Sequence, residues 1–199
     1  MDKNTYRKNI LEARKRITAA EVGAKNKTIS ALIVGSDFFK EAQSIFSFIG
    51  VEGEPDTSIV IKKSFLDNKT VYVPRTGVTS DMEVVQIDEA AYENVSKDWP
   101  TDYGIPIPPS SFPQTEGIEL DLVLVPSLAI DKYGYRLGHG AGYYDKFAGQ
   151  YQKRPKRPLF VAVQFSEFLM SDPLPRESHD MKVDLIVTEN GIVIPSSFV

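Results

Sequence analysis

The sequence predicts an α/β fold: a mostly parallel sheet with helices on both faces and an antiparallel edge. Three observations carry this. Short runs rich in β-branched and aromatic residues recur at 44–49, 70–74, 122–125, 159–164 and 183–188, each with the length and content of a buried strand. In the first half these runs alternate with segments of helical spacing, the arrangement that pairs strands in parallel. Glu189-Asn190-Gly191 is then a hairpin signal before Ile192-Val193-Ile194, so the last strand turns back antiparallel.

Length and composition agree with one such domain. The chain has 199 residues, 42% hydrophobic and 25% charged, enough for a core that needs no staple. It has no cysteine, which excludes disulfides, thiolate catalysis and thiolate-bound zinc. The opening MDKNTYRKN lacks the apolar stretch of a secretory signal, and the apolar runs are too short to span a bilayer. A cytoplasmic protein without a membrane partner is expected. The formal net charge of −4 offers no general attraction to nucleic acid, so none is expected, and any anion site must be local.

Residues 3–16 read as a first helix. Lys3 and Arg7, four apart, share a face, and Arg14 falls on the same broad side; spacing alone fits a solvated basic face. Thr18-Ala19-Ala20-Glu21 has the form of a capping box, so a second helix starts there, with Val22, Ile29, Leu32 and Ile33 at helical spacing. Gly35 is a stop, and Ser36 with Asp37 caps a further short turn. The strand at 44–49 ends in Gly50-Val51-Glu52-Gly53-Glu54-Pro55-Asp56-Thr57, marked as a loop by its glycines and proline. Asp56 or Thr57 caps the helix that follows, which runs to the region of Leu66. Glu54 therefore lies at the carboxyl end of a strand just before a helix, where open parallel sheets bind ligands. Its position fits a ligand contact and a plain turn residue equally. A further strand at 82–87 follows the one at 70–74, with Arg75-Thr76-Gly77 between them.

Residues 96–117 contain Trp99-Pro100, Gly104, Pro106, Pro108, Pro109, Pro113 and Gly117, too many breakers for regular structure to persist. Trp99, Tyr103 and Phe112 suit an aromatic pocket or, more simply, packing that ties this loop down. Lys153-Arg154-Pro155-Lys156-Arg157-Pro158 reads as an exposed basic loop, with an anionic tail as the alternative ligand. Asp184 borders or caps its strand.

The chemistry concentrates after the strand at 122–125. Pro126 closes that run, a turn-rich segment follows, and Arg136-Leu137-Gly138-His139-Gly140-Ala141-Gly142 leads into Tyr143-Tyr144-Asp145-Lys146-Phe147, the first turns of a helix. Strand, glycine loop and helix in that order build an anion site: glycines let the backbone approach a phosphate, and the helix start offers free N–H groups. The spacing is neither Gly-x-Gly-x-x-Gly nor a P-loop, and no Gly-x-Ser-x-Gly elbow occurs. Glycines that let a helix pack closely on a sheet would give the same pattern. Arg136, whose planar fork suits phosphate oxygens, speaks against that. So do the buried strand before the loop, the rings and hydroxyls of Tyr143 and Tyr144, and Asp145, an oxygen ligand suited to Mg2+ shared with phosphates. A nucleotide phosphate is the expected ligand.

At these residues the sequence resembles the 5-formyltetrahydrofolate cyclo-ligases, also called methenyltetrahydrofolate synthetases. The resemblance rests on Leu122 to Pro126, on Ala129-Ile130-Asp131, and on Gly134-Tyr135-Arg136-Leu137-Gly138-x-Gly140-x-Gly142-Tyr143-Tyr144-Asp145. It runs in order over nearly the whole chain through Lys3-x-x-x-Arg7, Glu54-Pro55-Asp56-Thr57, Pro74-Arg75 and His179-Asp180-Met181-Lys182-Val183-Asp184.

The resemblance implies a three-layer α/β/α sandwich of the kind found in sugar-phosphate isomerases and CoA transferases. It implies conversion of 5-formyltetrahydrofolate and ATP to 5,10-methenyltetrahydrofolate, ADP and phosphate, with Mg2+, through a phosphorylated formyl group. By motif it implies ATP contacts from Lys3, Arg7, Arg136, Leu137, Gly138, His139, Gly140, Ala141, Gly142, Tyr143 and Tyr144. It implies Mg2+ at Asp145 and Asp180, and folate contacts from Ile49, Glu54 and Tyr143. Glu54 and Arg136 are the expected catalytic residues, Glu54 orienting the pterin or the N10 region rather than moving a proton. His139 and His179 are not assigned as catalysts.

Two departures from the family's pattern stand out. Some members carry Arg and Lys at the variable positions of the glycine loop, where this chain has His139 and Ala141, which removes fixed positive charge near a triphosphate. Many members have Glu-Pro in the middle loop, where this chain reads Ile105-Pro106-Ile107-Pro108; no substrate contact is assigned there. Two rival readings use the same scaffold. One is a sugar-phosphate isomerase or CoA transferase-like enzyme needing no ATP, with Glu54 the only visible carboxylate nucleophile. The other is a non-catalytic nucleotide- or folate-binding protein, which loss of Asp145 or Arg136 would have favoured. A monomer or weak homodimer acting on small molecules is expected.

Overall fold

The computed structural model describes residues 2–51, 53–76, 81–102, 104–152 and 154–197; Glu52, Gly77, Tyr103 and Lys153, named above, lie outside them. The chain runs through α1 (Lys3–Arg14), α2 (Ala19–Gly35), α3 (Asp37–Glu41), β1 (Ser44–Phe46), α4 (Ser58–Leu66), β2 (Thr70–Arg75) and β3 (Glu83–Ile87). Short elements follow: α5 (Glu89–Glu93), α6 (Val95–Asp98), β4 (Thr101–Asp102) and β5 (Ile105–Pro106). The second half holds β6 (Leu122–Val125), β7 (Ala129–Asp131), β8 (Arg136–Leu137), α7 (Tyr143–Gly149), β9 (Leu159–Val163), β10 (Leu169–Met170), β11 (Leu185–Thr188) and β12 (Gly191–Val193).

Seven strands form one sheet in the order β12-β11-β9-β6-β1-β2-β3. From β11 to β2 the neighbours pair in parallel, and β12 and β3 close the two edges antiparallel. Side chains alternate between the two faces. Ile45, Leu122, Leu124, Val161, Val163 and Val187 face one core with Ile10 of α1, Ile29 and Ile33 of α2 and Phe39 of α3. Phe46, Val123, Val125, Phe160, Ala162 and Ile186 face the other with Tyr144 and Phe147 of α7. The period-2 rule of strands thus sorts one apolar set into two cores and makes three layers. A third cluster puts Ile61 of α4 and Trp99 against Val71, Val73, Val85 and Ile87.

The helix starts follow their capping residues. The Asp2 carboxylate accepts from the N–H of Asn4 at 2.9 Å and of Thr5 at 3.0 Å. Thr18 and Glu21 make the expected capping box, and Ser36 caps α3. At α4 it is Asp56 that accepts, from Ser58 N–H at 2.8 Å. Thr57 is drawn away, donating its hydroxyl to Phe48 O at 2.6 Å.

Three features differ from the sequence reading. β1 stops at Phe46, short of the expected Ile49, and the chain then folds so tightly at Gly50 that a Cβ there would lie 2.4 Å from Pro55 O. The segment read as turn-rich contains β7 and β8, which with β10 form a separate three-stranded sheet. The buried Asp131 carboxylate pins it, accepting from the N–H groups of Tyr133, Tyr135 and Leu174, each at 3.0 Å. The basic face is not solvated as its spacing suggested: Lys3 and Arg7 are partly buried and Arg14 is buried. The basic cluster is the exposed loop expected, and among its described residues Lys156 donates to Asp121 at 2.9 Å, Arg157 pairs with Asp184, and Arg154 donates to Ile118 O. Trp99 and Phe112 pack on each other at 6.1 Å, tying down the loop that carries them. Among the described residues no helix is long and apolar enough to cross a membrane.

Candidate active site

The chain winds outward from β1 through β2 to β3, returns to the other side of β1 as β6, and winds outward again through β9 and β11. Where the winding reverses, neighbouring exit loops diverge and leave a crevice at the carboxyl ends of the strands. The exit of β1 carries Ile49 and Glu54. The exit of β6 leads through β7 and β8 to the glycine loop. The two meet directly: His139 Nε2 lies 3.2 Å from Glu54 Oε1. The Glu54 side chain is 10% exposed and that of His139 57%, so an enclosed carboxylate is partnered by a surface imidazole.

Helix α1 brings its basic end to the same place. Arg7 Nε donates to Gly138 O at 2.9 Å, and its guanidinium lies over Gly140. Gly140 and Gly142 both have left-handed backbone, at φ 118° and 72°, a conformation that favours glycine. They let the loop pass under Arg7 and enter α7. Lys3 Nζ donates to both oxygens of Asp180, at 2.7 and 3.0 Å, and lies 3.0 Å from Glu177. Burial opposes the Lys3 charge, but the bonds to Asp180 and Glu177 outweigh it and hold its pKa above the usual lysine value. Burial would raise the Asp180 pKa; Lys3 and the Glu177 N–H overcome that and hold it low.

Arg136 points inward. Its side chain is 5% exposed, Nη2 donates to Asp145 Oδ2 at 3.0 Å, and the guanidinium stacks 5.3 Å above the Tyr144 ring. A Cβ at Gly138 would sit 2.6 Å from Arg136 Nη1, so that glycine makes room for the buried cation. Burial pushes the Arg136 pKa down, with Asp145 and Tyr144 opposing; a guanidinium nonetheless stays charged. Tyr144, whose ring and hydroxyl the sequence offered to a ligand, is buried, and burial drives its pKa up. Its hydroxyl and the Nε of Arg136 are both buried without a hydrogen-bond partner. Leu137 faces the core, as does most of Ile49, and Tyr143 is partly buried against the α7 cluster. Ala141 is exposed at the loop tip.

Asp145 and Asp180 are neighbours, since Met181 N–H donates to Asp145 Oδ1 at 3.1 Å. Among the described residues no three acidic or histidine side chains are arranged to hold a metal ion by themselves. A metal here would have two carboxylates and take its remaining ligands from water and phosphate, the habit of Mg2+. The all-oxygen donor set fits that ion.

Sequence reasoning missed one residue that builds the site. Buried Arg14 donates to Gly53 O, to Ser127 O at 2.7 Å, to Leu128 O at 2.9 Å and to Gln164 Oε1 at 3.1 Å. It ties the Glu54 loop to the exits of β6 and β9, across the reversal in winding. Its spacing from Arg7, seven residues, was the available signal, but spacing does not tell a buried cation from a solvated one.

A family model described as the 5-formyltetrahydrofolate cyclo-ligase family matches residues 1–189 of this chain. The 5-formyltetrahydrofolate cyclo-ligase of Saccharomyces cerevisiae is 31% identical over 191 residues, covering 89% of this chain and 88% of that protein. Two solved structures share the fold. The 5,10-methenyltetrahydrofolate synthetase of Aquifex aeolicus superposes with a TM-score of 0.74 at 23% identity, covering 100% of this chain and 95% of the other. That of Mycoplasma pneumoniae superposes with a TM-score of 0.71 at 20% identity, covering 95% and 99%.

Proposed function

The chain belongs to the 5-formyltetrahydrofolate cyclo-ligase family, and from that premise we propose that it closes 5-formyltetrahydrofolate to 5,10-methenyltetrahydrofolate using ATP and Mg2+. The observation that carries this reading is the meeting of the glycine loop with Glu54 across the β1–β6 reversal. The loop read as a phosphate cradle and an enclosed carboxylate meet there, which supports a reaction between a nucleotide and a second substrate.

The formyl oxygen is a poor leaving group and must first be phosphorylated. It attacks the γ-phosphorus of ATP, the bond to the bridging oxygen breaks, and ADP departs. N10 then adds to the activated carbon, the carbon–oxygen bond breaks, phosphate leaves, and N10 gives up its proton. The first step asks mainly for positioning and charge neutralisation. Arg7 lies over the loop and Lys3 stands beside Asp180, so both would add positive charge near the phosphates, and the loop N–H groups would be available to them. Mg2+ held by Asp145 and Asp180 would neutralise charge on the phosphate oxygens. Arg136 serves from beneath, as a positioning residue that fixes Asp145. Glu54 accepts from a donor on the pterin or at N10 and orients the folate, which makes ring closure effectively unimolecular.

The test is to supply 5-formyltetrahydrofolate, ATP and Mg2+ together and then withhold each in turn. Phosphate release should require all three; release that ignores the folate would overturn the reading.

A further inference from the structure

His139 stands where the two halves of the proposed site touch. We propose that it is a positioning residue that occupies Glu54 while the folate half is empty and gives it up when nucleotide fills the glycine loop, so that nucleotide binding strengthens folate binding. This rests on the reading of the site above.

The geometry points this way for three reasons. First, the partnership is unequal. Glu54 is enclosed and His139 is largely in solvent, at 10% and 57% side-chain exposure. An enclosed carboxylate without a donor is costly, so some donor must stand in until a substrate N–H arrives. Among the described residues, His139 is the side chain hydrogen-bonded to it. Arg14 gives Glu54 only a longer-range attraction.

Second, His139 sits in the exposed part of the loop, between two held ends. Gly138 is held by the Arg7 hydrogen bond at 2.9 Å and lies against Arg136. At the other end Gly142 caps α7. Between these fixed points His139, Gly140 and Ala141 are exposed, and Gly140, at φ 118°, has backbone freedom that other residues lack.

Third, the ligand expected in the loop competes for the same imidazole. A phosphate oxygen is an alternative hydrogen-bond acceptor for His139, and a more highly charged one than Glu54. Moving the ring to phosphate frees Glu54 for the folate donor. Coupling between two ligands requires a contact that differs with occupancy, and this contact reports on both halves.

The experiment measures 5-formyltetrahydrofolate affinity by calorimetry, with and without the β,γ-imido analogue of ATP and Mg2+, so that no turnover intervenes. It compares the wild type with His139→Ala and His139→Gln, checking each fold by thermal melting. One charge-assisted hydrogen bond sets the scale, so the analogue should tighten folate binding about tenfold in the wild type. In His139→Ala, folate should bind tightly without the analogue and gain nothing from it. His139→Gln, which keeps a donor, should retain part of the coupling. A wild type whose folate affinity ignores the analogue, or a His139→Ala that keeps full coupling, would overturn the proposal. A wild-type chain that binds neither ligand would instead overturn the reading of the site itself.

Discussion

Asp145 is held from two sides: Arg136 Nη2 meets its Oδ2 at 3.0 Å while Met181 N–H meets its Oδ1 at 3.1 Å. The carboxylate proposed to face the metal is thus fixed by a buried cation below the glycine loop and by the backbone beside Asp180. Removing one partner of a buried pair strands the other charge, at a cost of about 3 kcal/mol or more. Arg136→Ala should lose stability on that scale in urea denaturation and should weaken ATP binding in titration. Unaltered ATP binding in a folded Arg136→Ala would remove Arg136 from the nucleotide half of the site.

Arg14 should behave as a structural clamp on the folate half. Arg14→Met leaves the carbonyls of Gly53, Ser127 and Leu128 without their donor. We expect a loss of about 3 kcal/mol and a raised KM for folate with little change in KM for ATP. The exposed neighbour Arg16 is the control: Arg16→Ala should change stability by no more than about 0.5 kcal/mol. Equal effects from the two would show that Arg14 has no special place.

Most of the sheet was legible in the sequence, because buried parallel strands are short continuous apolar runs bounded by breakers, and β6 and β9 have that form. The antiparallel last edge was legible in Asn190-Gly191. The capping box of Thr18 and Glu21 was legible because it depends on residues three apart. The small sheet of β7, β8 and β10 was not, since it is held by Asp131 reaching Leu174, 43 residues away. The same limit applies to Arg14 and Gln164, whose partners are distant in sequence. Side-chain direction was also hidden. Tyr144 and Arg136 sit in a motif that suits a ligand, yet both point into the protein, and Glu54 meets His139 only because β1 and β6 are neighbours.

Asp121 links stability to pH away from the site. Burial would raise its pKa, but Lys156, the Gln43 N–H and Ser44 overcome that and hold it at about 2, against an ordinary 3.8. A depressed folded pKa contributes stability that is fully present above the ordinary value and lost as pH falls through the folded one. Because Lys156 is exposed, solvent screening leaves about 1 kcal/mol of that difference as stability. Asp121→Asn should therefore be less stable by about that amount at neutral pH, and the gap should narrow as pH falls from 3.8 toward 2. A gap that stays constant through that range in urea melts would contradict the assignment.

Glu54→Gln keeps the shape of the side chain and removes its charge. If Glu54 orients the folate by accepting a hydrogen bond, turnover and folate affinity should both fall by at least tenfold, the scale of one charge-assisted bond. ATP affinity should change less. Unchanged turnover and unchanged folate affinity would show that Glu54 is a turn residue and no more.

The most direct test follows the near-ultraviolet absorbance of the methenyl product. The chain is incubated with 5-formyltetrahydrofolate and Mg2+, and ATP is then added. Absorbance should stay flat before the addition and rise after it, with one phosphate released per ring closed. A flat trace after ATP, from folded protein that binds both substrates, would contradict the proposed reaction.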